Sequence, residues 1–265
     1  MSSSLKQKSF CIITGASRGI GREIANQIAA KIAPQSVLVL IARNEEALAE
    51  TARLLQEYPI HVRTLAEDLS DCNTRRIVDL CEGILQEREL KQKPFEQAII
   101  FHNAGTLGDI SKRATEFLDP DEIRKYLDTN LTSMILLNNV FLRITQNIAR
   151  KFVVNITSLL AIQGMPSFAI YAAGKAGREG FMKVLAAEES ELRVLNYSPG
   201  PVITDMHEAL RTQAWNEGIR NFFSQKPSEG ERKLVTCEQT VKKLTKLLEE
   251  NTFESGKHID YFELD

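Results

Sequence analysis

The chain has 265 residues, enough for one large domain with a substantial core. Its 33 Lys and Arg nearly balance 35 Asp and Glu, for a net charge of −2, which argues against a nucleic-acid or polybasic membrane-binding role. The hydrophobic share of 43% is that of a soluble globular protein, and no apolar run is long enough to span a bilayer.

The opening stretch, Met1 to Lys8, is polar and carries no apolar signal core, so a cytoplasmic location is expected. Cys11, Cys72, Cys81 and Cys237 form no Cys-x-x-Cys pair, so neither disulfides nor a metal site is expected. Ser9–Thr14 reads as a buried strand and Ile20–Ala33 as a helix stopped by Pro34. Strand Val37–Ile41, helix Glu45–Glu57, strand His61–Leu65 and a mostly helical Asp71–Glu89 follow. Next come strand Gln97–Phe101, one long helical stretch over Asp121–Ala149, strand Phe152–Ile156 and helix Ala169–Glu188. Strand Arg193–Tyr197 leads into the least regular part, Thr204–Val235, which holds the only Trp (Trp215), Pro227 and the charged run Ser228–Lys233. Residues 205–235 read as a substrate lid or as a tolerated surface insertion. Helix Glu238–Glu249 and strand Lys257–Tyr261 close the chain.

Strands apolar on both faces and separated by helices predict an α/β fold. The expected architecture is a single doubly wound Rossmann-type domain over 1–265, a parallel sheet of about seven strands with helices on both faces.

Two patterns point to chemistry. Thr14-Gly15-Ala16-Ser17-Arg18-Gly19-Ile20-Gly21 joins the first strand to the first helix. Glycines there permit a sharp turn and close approach of a pyrophosphate to main-chain N–H groups at a helix N-terminus. The second strand ends in Arg43-Asn44 with no carboxylate to bind free ribose hydroxyls. A guanidinium at Arg43, with Arg18, suits a 2′-phosphate, so NADP(H) is expected over NAD; a solvated loop charge is the other reading of Arg43. Further on, Tyr171 and Lys175 lie four apart, on one face of a helix. An ammonium near a phenol lowers its pKa toward use as a general acid, although the same spacing occurs on many exposed helix faces.

The glycine turn, Ser158, Tyr171 and Lys175 occur in order with Glu67-Asp68-Leu69, Asn103-Ala104-Gly105, Asn130 and Pro199-Gly200. Together they resemble the short-chain dehydrogenase/reductase family over nearly the whole chain. The resemblance implies NADP(H) held by Gly15, Ser17, Arg18, Gly19, Ile20 and Gly21 at the pyrophosphate, and by Arg43 and Asn44 at the phosphorylated ribose. Asp68 and Leu69 would flank the adenine, and Asn103, Ala104 and Gly105 would give close backbone approach. Lys175 would hold the nicotinamide ribose, and Val202, Ile203, Thr204 and Met206 would lie at the carboxamide end. Ser158 would polarise a substrate carbonyl, Tyr171 would donate the proton, and Asn130 would hold a water linking Lys175 to solvent. Leu159 and Gly200 would complete the substrate site, and two long helices would form a homodimer face. From the residues alone, Ser158 is equally a turn cap, and Asn130 a mid-helix amide bonding its own backbone.

Finer segments resemble a pterin-reducing branch of that family, which acts late in tetrahydrobiopterin synthesis: Asn103–Lys112, Asn130–Met134, Val194–Pro201, Thr204–Met206 and Ser255–Asp260. This implies that Asp260 anchors the pterin ring, a position that would otherwise be an ordinary strand charge. Two residues depart from the pattern. His102 stands where the family often has Asn, and Ile203 where an acidic residue is expected. A broad carbonyl or dicarbonyl reductase is therefore the alternative. A non-catalytic NADP-binding sensor would predict erosion at Ser158, Tyr171 or Lys175, and all three are present.

Overall fold

The computed structural model describes residues 5–71, 73–87, 90, 94–224 and 234–264. Its frame is a seven-stranded, wholly parallel sheet: β1 (Ser9–Thr14), β2 (Val37–Ala42), β3 (His61–Ala66), β4 (Gln97–His102), β5 (Arg150–Ile156), β6 (Leu192–Ser198) and β7 (His258–Asp260). The strand order is β3-β2-β1-β4-β5-β6-β7. The chain builds outward from β1 in one direction, returns to its other side at β4, and builds outward again. The reversal between β1 and β4 opens a crevice at their C-terminal ends, where ligands bind in such sheets.

Alternation along each strand feeds two cores. Cys11 and Ile13 of β1 point to one face, Phe10 and Ile12 to the other. In β4, Ile99 and Phe101 join the first core, and Ala98 and Ile100 the second. The first face is covered by α1 (Gly19–Ala29), α2 (Glu45–Leu54) and the last helix, Cys237–Glu250, through Ile24, Ile28, Leu48, Val241 and Leu248. The second is covered by α3 (Arg75–Gln86) and by two later helices through Ile77, Phe141 and Met182. Each fully buried Leu, Ile or Phe of this kind contributes about 1.5–3 kcal/mol of transfer free energy, so the sheet is the rigid part of the molecule.

Three expectations change. The stretch Asp121–Ala149 is not one helix. It runs as α4 (Pro120–Leu127), a π-turn over Asp128–Thr132 and α5 (Ser133–Ile144), with a loop before β5. The wide turn frees main-chain carbonyls from the helical ladder and leaves them for other donors. After α6 (Ala169–Glu188), the segment expected to be irregular contains α7 (Asp205–Gln213) and α8 (Glu217–Ser224). They bury Leu210 and Ile219 in a third cluster with Leu107, Leu160, Phe168 and Tyr171. The charged run Ser228–Lys233 of the expected lid lies outside the described residues, as do Pro227 and Cys72. The helix expected to reach Glu89 ends at Gln86. The last helix, α9 (Cys237–Glu250), opens with a capping box between Thr236 and Gln239 and closes on left-handed Asn251.

No helix among the described residues is long and apolar enough to cross a membrane. Cys11, Cys81 and Cys237 are free thiols, and no cluster of metal-ligating side chains occurs among the described residues.

Candidate active site

The C-terminal ends of all seven strands open into one cleft of about 1050 Å³. Gly15 follows β1, Arg43 follows β2, Asp68 follows β3, Asn103 follows β4, Ser158 follows β5, Gly200 follows β6 and Asp260 ends β7. Each strand thus delivers one candidate residue to the same rim.

At one end, the glycine turn takes a shape that only glycine permits. Gly15 has φ +67°, and a Cβ at Gly21 would lie 2.1 Å from the Gly15 carbonyl oxygen. The Gly15 N–H donates to the Ile41 carbonyl at 2.7 Å, fixing the turn to the end of β2. Asn103 Nδ2 donates to the carbonyls of Thr14 and Gly15 at 3.1 and 3.2 Å, while the N–H groups of Asn103 and Ala104 donate to Thr14 Oγ1. The two loops are therefore one rigid unit. No side chain caps the N-terminus of α1 at Arg18, and Arg18, Gly19 and Ile20 line the cleft.

Arg18 and Arg43 both stand at the rim. Arg18 pairs with Asp205 of α7 at 2.6 Å, and Arg43 Nη1 lies 4.0 Å from Asp68 Oδ2. Both pairs are largely exposed, so each contributes little to stability and can be exchanged for a ligand phosphate. Asn44 caps α2 by accepting from the Ala47 N–H at 2.8 Å. Ser17, Gly19, Ile20, Leu69 and Gly105 line the same cleft.

At the other end are Ser158, Tyr171 and Lys175. Ser158 Oγ accepts from the Leu160 N–H at 3.2 Å, capping a short 3-10 turn, and its hydroxyl favours the ionised form of the Tyr171 phenol. Ser158 is thus a turn cap that also lines the cleft. Tyr171 is 8% exposed and Lys175 7%. Lys175 Nζ donates to the Ile156 carbonyl at 2.7 Å and lies 5.6 Å from the Tyr171 ring centroid.

The electrostatics correct one expectation. Burial raises the Tyr171 pKa, and the opposing influences are the Ser158 hydrogen bond and the charge of Arg178, not Lys175. Burial, then Arg178, pushes the Lys175 ammonium well below its ordinary range, with Glu179 opposing. The nearby permanent cation is therefore Arg178, on the next turn of α6.

Asn130 sits in the π-turn and does not line the cleft directly; nor does Gly21. Asn130 Oδ1 accepts from the Thr106 N–H at 2.7 Å, and Nδ2 donates to the Tyr126 carbonyl at 2.9 Å and Thr106 Oγ1 at 3.2 Å. Its amide thus bonds its own backbone four residues back while holding the loop after Gly105. Asp260 accepts from Ser198 Oγ at 2.6 Å and from the Phe262 N–H at 3.0 Å. A carboxylate has about four acceptor positions, so Asp260 retains capacity toward the cleft.

Leu159, Gly200, Val202, Thr204 and Met206 also line the cleft, as does Ile203, which is 54% exposed. The Ile203 N–H donates to the Val235 carbonyl at 3.0 Å, holding this strip against the segment before α9. Arg178 is absent from the sequence-based set. A charged residue seven after Tyr171, on the buried stripe of its helix, was the available signal. Phe168, with His207 and Leu210 of α7 and Phe222 and Phe223 of α8, also lines the cleft; these were missed because the two helices were not expected.

Residues 9–215 match the short chain dehydrogenase family. The chain is 38% identical to sepiapterin reductase from Xenopus tropicalis, covering 96% of each chain. It is 39% identical to sepiapterin reductase from Meriones unguiculatus, again over 96% of each. Among solved structures, a short chain dehydrogenase from Escherichia coli CFT073 complexed with NADPH superposes with a TM-score of 0.75 at 26% identity, covering 97% of this chain and 98% of that one.

Proposed function

This chain belongs to the short chain dehydrogenase family, and from that premise we propose that it is an NADPH-dependent oxidoreductase that reduces the side-chain carbonyl of a pterin. The observation that carries the reading is the shared cleft. An anion-binding glycine turn, a Ser158–Tyr171–Lys175 constellation and the carboxylate of Asp260 face one volume.

The chain's own residues fit the cofactor. The turn at Gly15 packs so closely on Asn103 that a Cβ would lie 2.8 Å from its Nδ2, so main-chain N–H groups are what the turn offers to a pyrophosphate. Arg43 and Arg18 supply guanidinium forks for a 2′-phosphate. Lys175, beside the Ile156 carbonyl, has further N–H donors for ribose hydroxyls. When bound, NADPH supplies the hydride.

The rest of the chemistry falls to side chains. Ser158 and Tyr171 both donate toward the substrate carbonyl oxygen and stabilise the charge that develops there. Tyr171 then gives its proton to that oxygen as the carbon accepts the hydride, so the carbonyl becomes an alcohol and the phenol a phenolate. The phenolate is reprotonated through Lys175 and water held near Asn130. Asp260, backed by Ser198, accepts from the guanidine-like edge of the pterin and orients it. Phe168, Leu210 and Phe223 exclude water from the reacting end.

We also assign the protein to late tetrahydrobiopterin synthesis and to the cytoplasm. It acts as a homodimer through α5 and α6, where Leu136 and Val184 stand exposed. The alternative, a broad dicarbonyl reductase, draws on Ile203 where an acidic residue was expected. NADPH oxidation measured with sepiapterin and with a simple diketone separates the two. A pterin reductase prefers sepiapterin in kcat/KM, and equal or reversed preference overturns the pterin assignment.

A further inference from the structure

Arg178 is 1% exposed, and every acceptor it bonds is neutral. Nε donates to Asn155 Oδ1 at 2.8 Å. Nη1 donates to the carbonyls of Ala104 and Asn130 at 3.0 and 3.2 Å, and Nη2 to the His102 carbonyl at 2.5 Å. Burying a guanidinium without a carboxylate partner is costly. Its acceptors come from the end of β4, the loop behind the glycine turn, the π-turn and the C-terminal end of β5. The fork therefore ties together the main-chain pieces that surround Tyr171 and Lys175. The Asn130 carbonyl is available because the π-turn interrupts the helical ladder there.

We propose that Arg178 is a positioning residue for the reduction: its fork holds the Ala104 loop and the Asn130 turn in place around Tyr171 and Lys175. The inference rests on Tyr171 being the proton donor. The ionisable groups around this site leave Arg178 as its permanent cation. From α4, Tyr126 has its pKa raised by burial and stays a neutral phenol. From β4, His102 is held neutral at about 3 by burial and by Arg178 itself. From α6, Lys175 is pushed toward its neutral form, and Glu179 is engaged by Thr157 and His258. From the β5 side come the neutral groups Asn155 and Ser158. Burial lowers Arg178 only to about 10, so it remains charged at neutral pH. Burial raises the Tyr171 pKa, and after the Ser158 hydroxyl the Arg178 charge opposes that rise.

The test is steady-state kinetics at varied NADPH on Arg178→Gln and Arg178→Lys, with the melting temperature read alongside. Arg178→Gln removes the fork and should raise the KM for NADPH about tenfold, since the Ala104 loop is no longer held. Arg178→Lys keeps a donor for one of the carbonyls and should recover part of that loss, with a rise of about threefold. A lowered melting temperature with an unchanged KM for NADPH in Arg178→Gln overturns the positioning role. If Arg178→Gln does not fold, the lysine variant still decides: an unchanged KM for NADPH overturns the positioning role. This readout does not depend on the proton-donor assignment, which fails separately if Tyr171→Phe turns over like the parent.

Discussion

Lys175 follows Tyr171 by one helical turn, yet its Nζ donates to the Ile156 carbonyl and stays 5.6 Å from the Tyr171 ring centroid. The pair is thus arranged with the lysine turned toward the end of β5. That orientation suits a ribose-binding donor better than a direct phenol partner. Lys175→Met should therefore raise the KM for NADPH by about tenfold, the loss of its N–H donors to the ribose. Steady-state kinetics at varied NADPH checks this, and a loss confined to kcat would contradict it.

Arg43 is exposed at the rim and loosely paired with Asp68. Arg43→Ala should raise the KM for NADPH by about tenfold or more and leave that for NADH nearly unchanged, because only NADPH carries the phosphate. Equal effects on both cofactors would remove the 2′-phosphate assignment.

Asp260 is held by Ser198 and by its own turn, so its carboxylate is already oriented before any ligand arrives. Asp260→Asn retains an acceptor for Ser198 but loses the charge. The KM for sepiapterin should rise about tenfold or more while that for a small diketone stays within a factor of about two. A parallel rise for both substrates would show a structural role instead.

His258 and Glu179 form a buried pair at 2.6 Å, with Thr157 Oγ1 donating to the same carboxylate oxygen. The hydrogen bond to Glu179 raises the His258 pKa above its usual 6.5. Burial pushes Glu179 upward, but the bonds from His258 and Thr157 outweigh it and hold the carboxyl below its usual 4.5. The histidine contribution is full below 6.5 and fades as pH rises through the raised value; the glutamate contribution is full above 4.5 and fades as pH falls through the lowered one. His258→Gln should thus cost about 1–3 kcal/mol near pH 5.5 and less near pH 9, measured by urea unfolding at both. A loss independent of pH would contradict the ion pair.

Much of the fold was legible because its strands are apolar on both faces. Runs such as Phe10-Cys11-Ile12-Ile13 can bury every side chain only inside a covered parallel sheet. The glycine turn and the residues at the strand tips were legible because the doubly wound order brings every tip to one rim. The π-turn was not, since one extra residue in a turn leaves apolar periodicity nearly intact across Asp121–Ile144. Helices α7 and α8 were not, because eight or nine residues with few apolar positions have little intrinsic helicity. They hold by packing Leu210, Ile219 and Phe223 onto the cleft wall. Arg178 was not legible because the sequence does not show four carbonyl acceptors converging from distant parts of the chain.

The central claim is that Tyr171 delivers the proton. Single-turnover reduction of sepiapterin by Tyr171→Phe, with NADPH binding measured separately, tests it most directly. The account predicts NADPH affinity close to that of the parent and a reduction rate lower by at least about a hundredfold. A variant that binds NADPH and still reduces the carbonyl within a few-fold of the parent rate would contradict it.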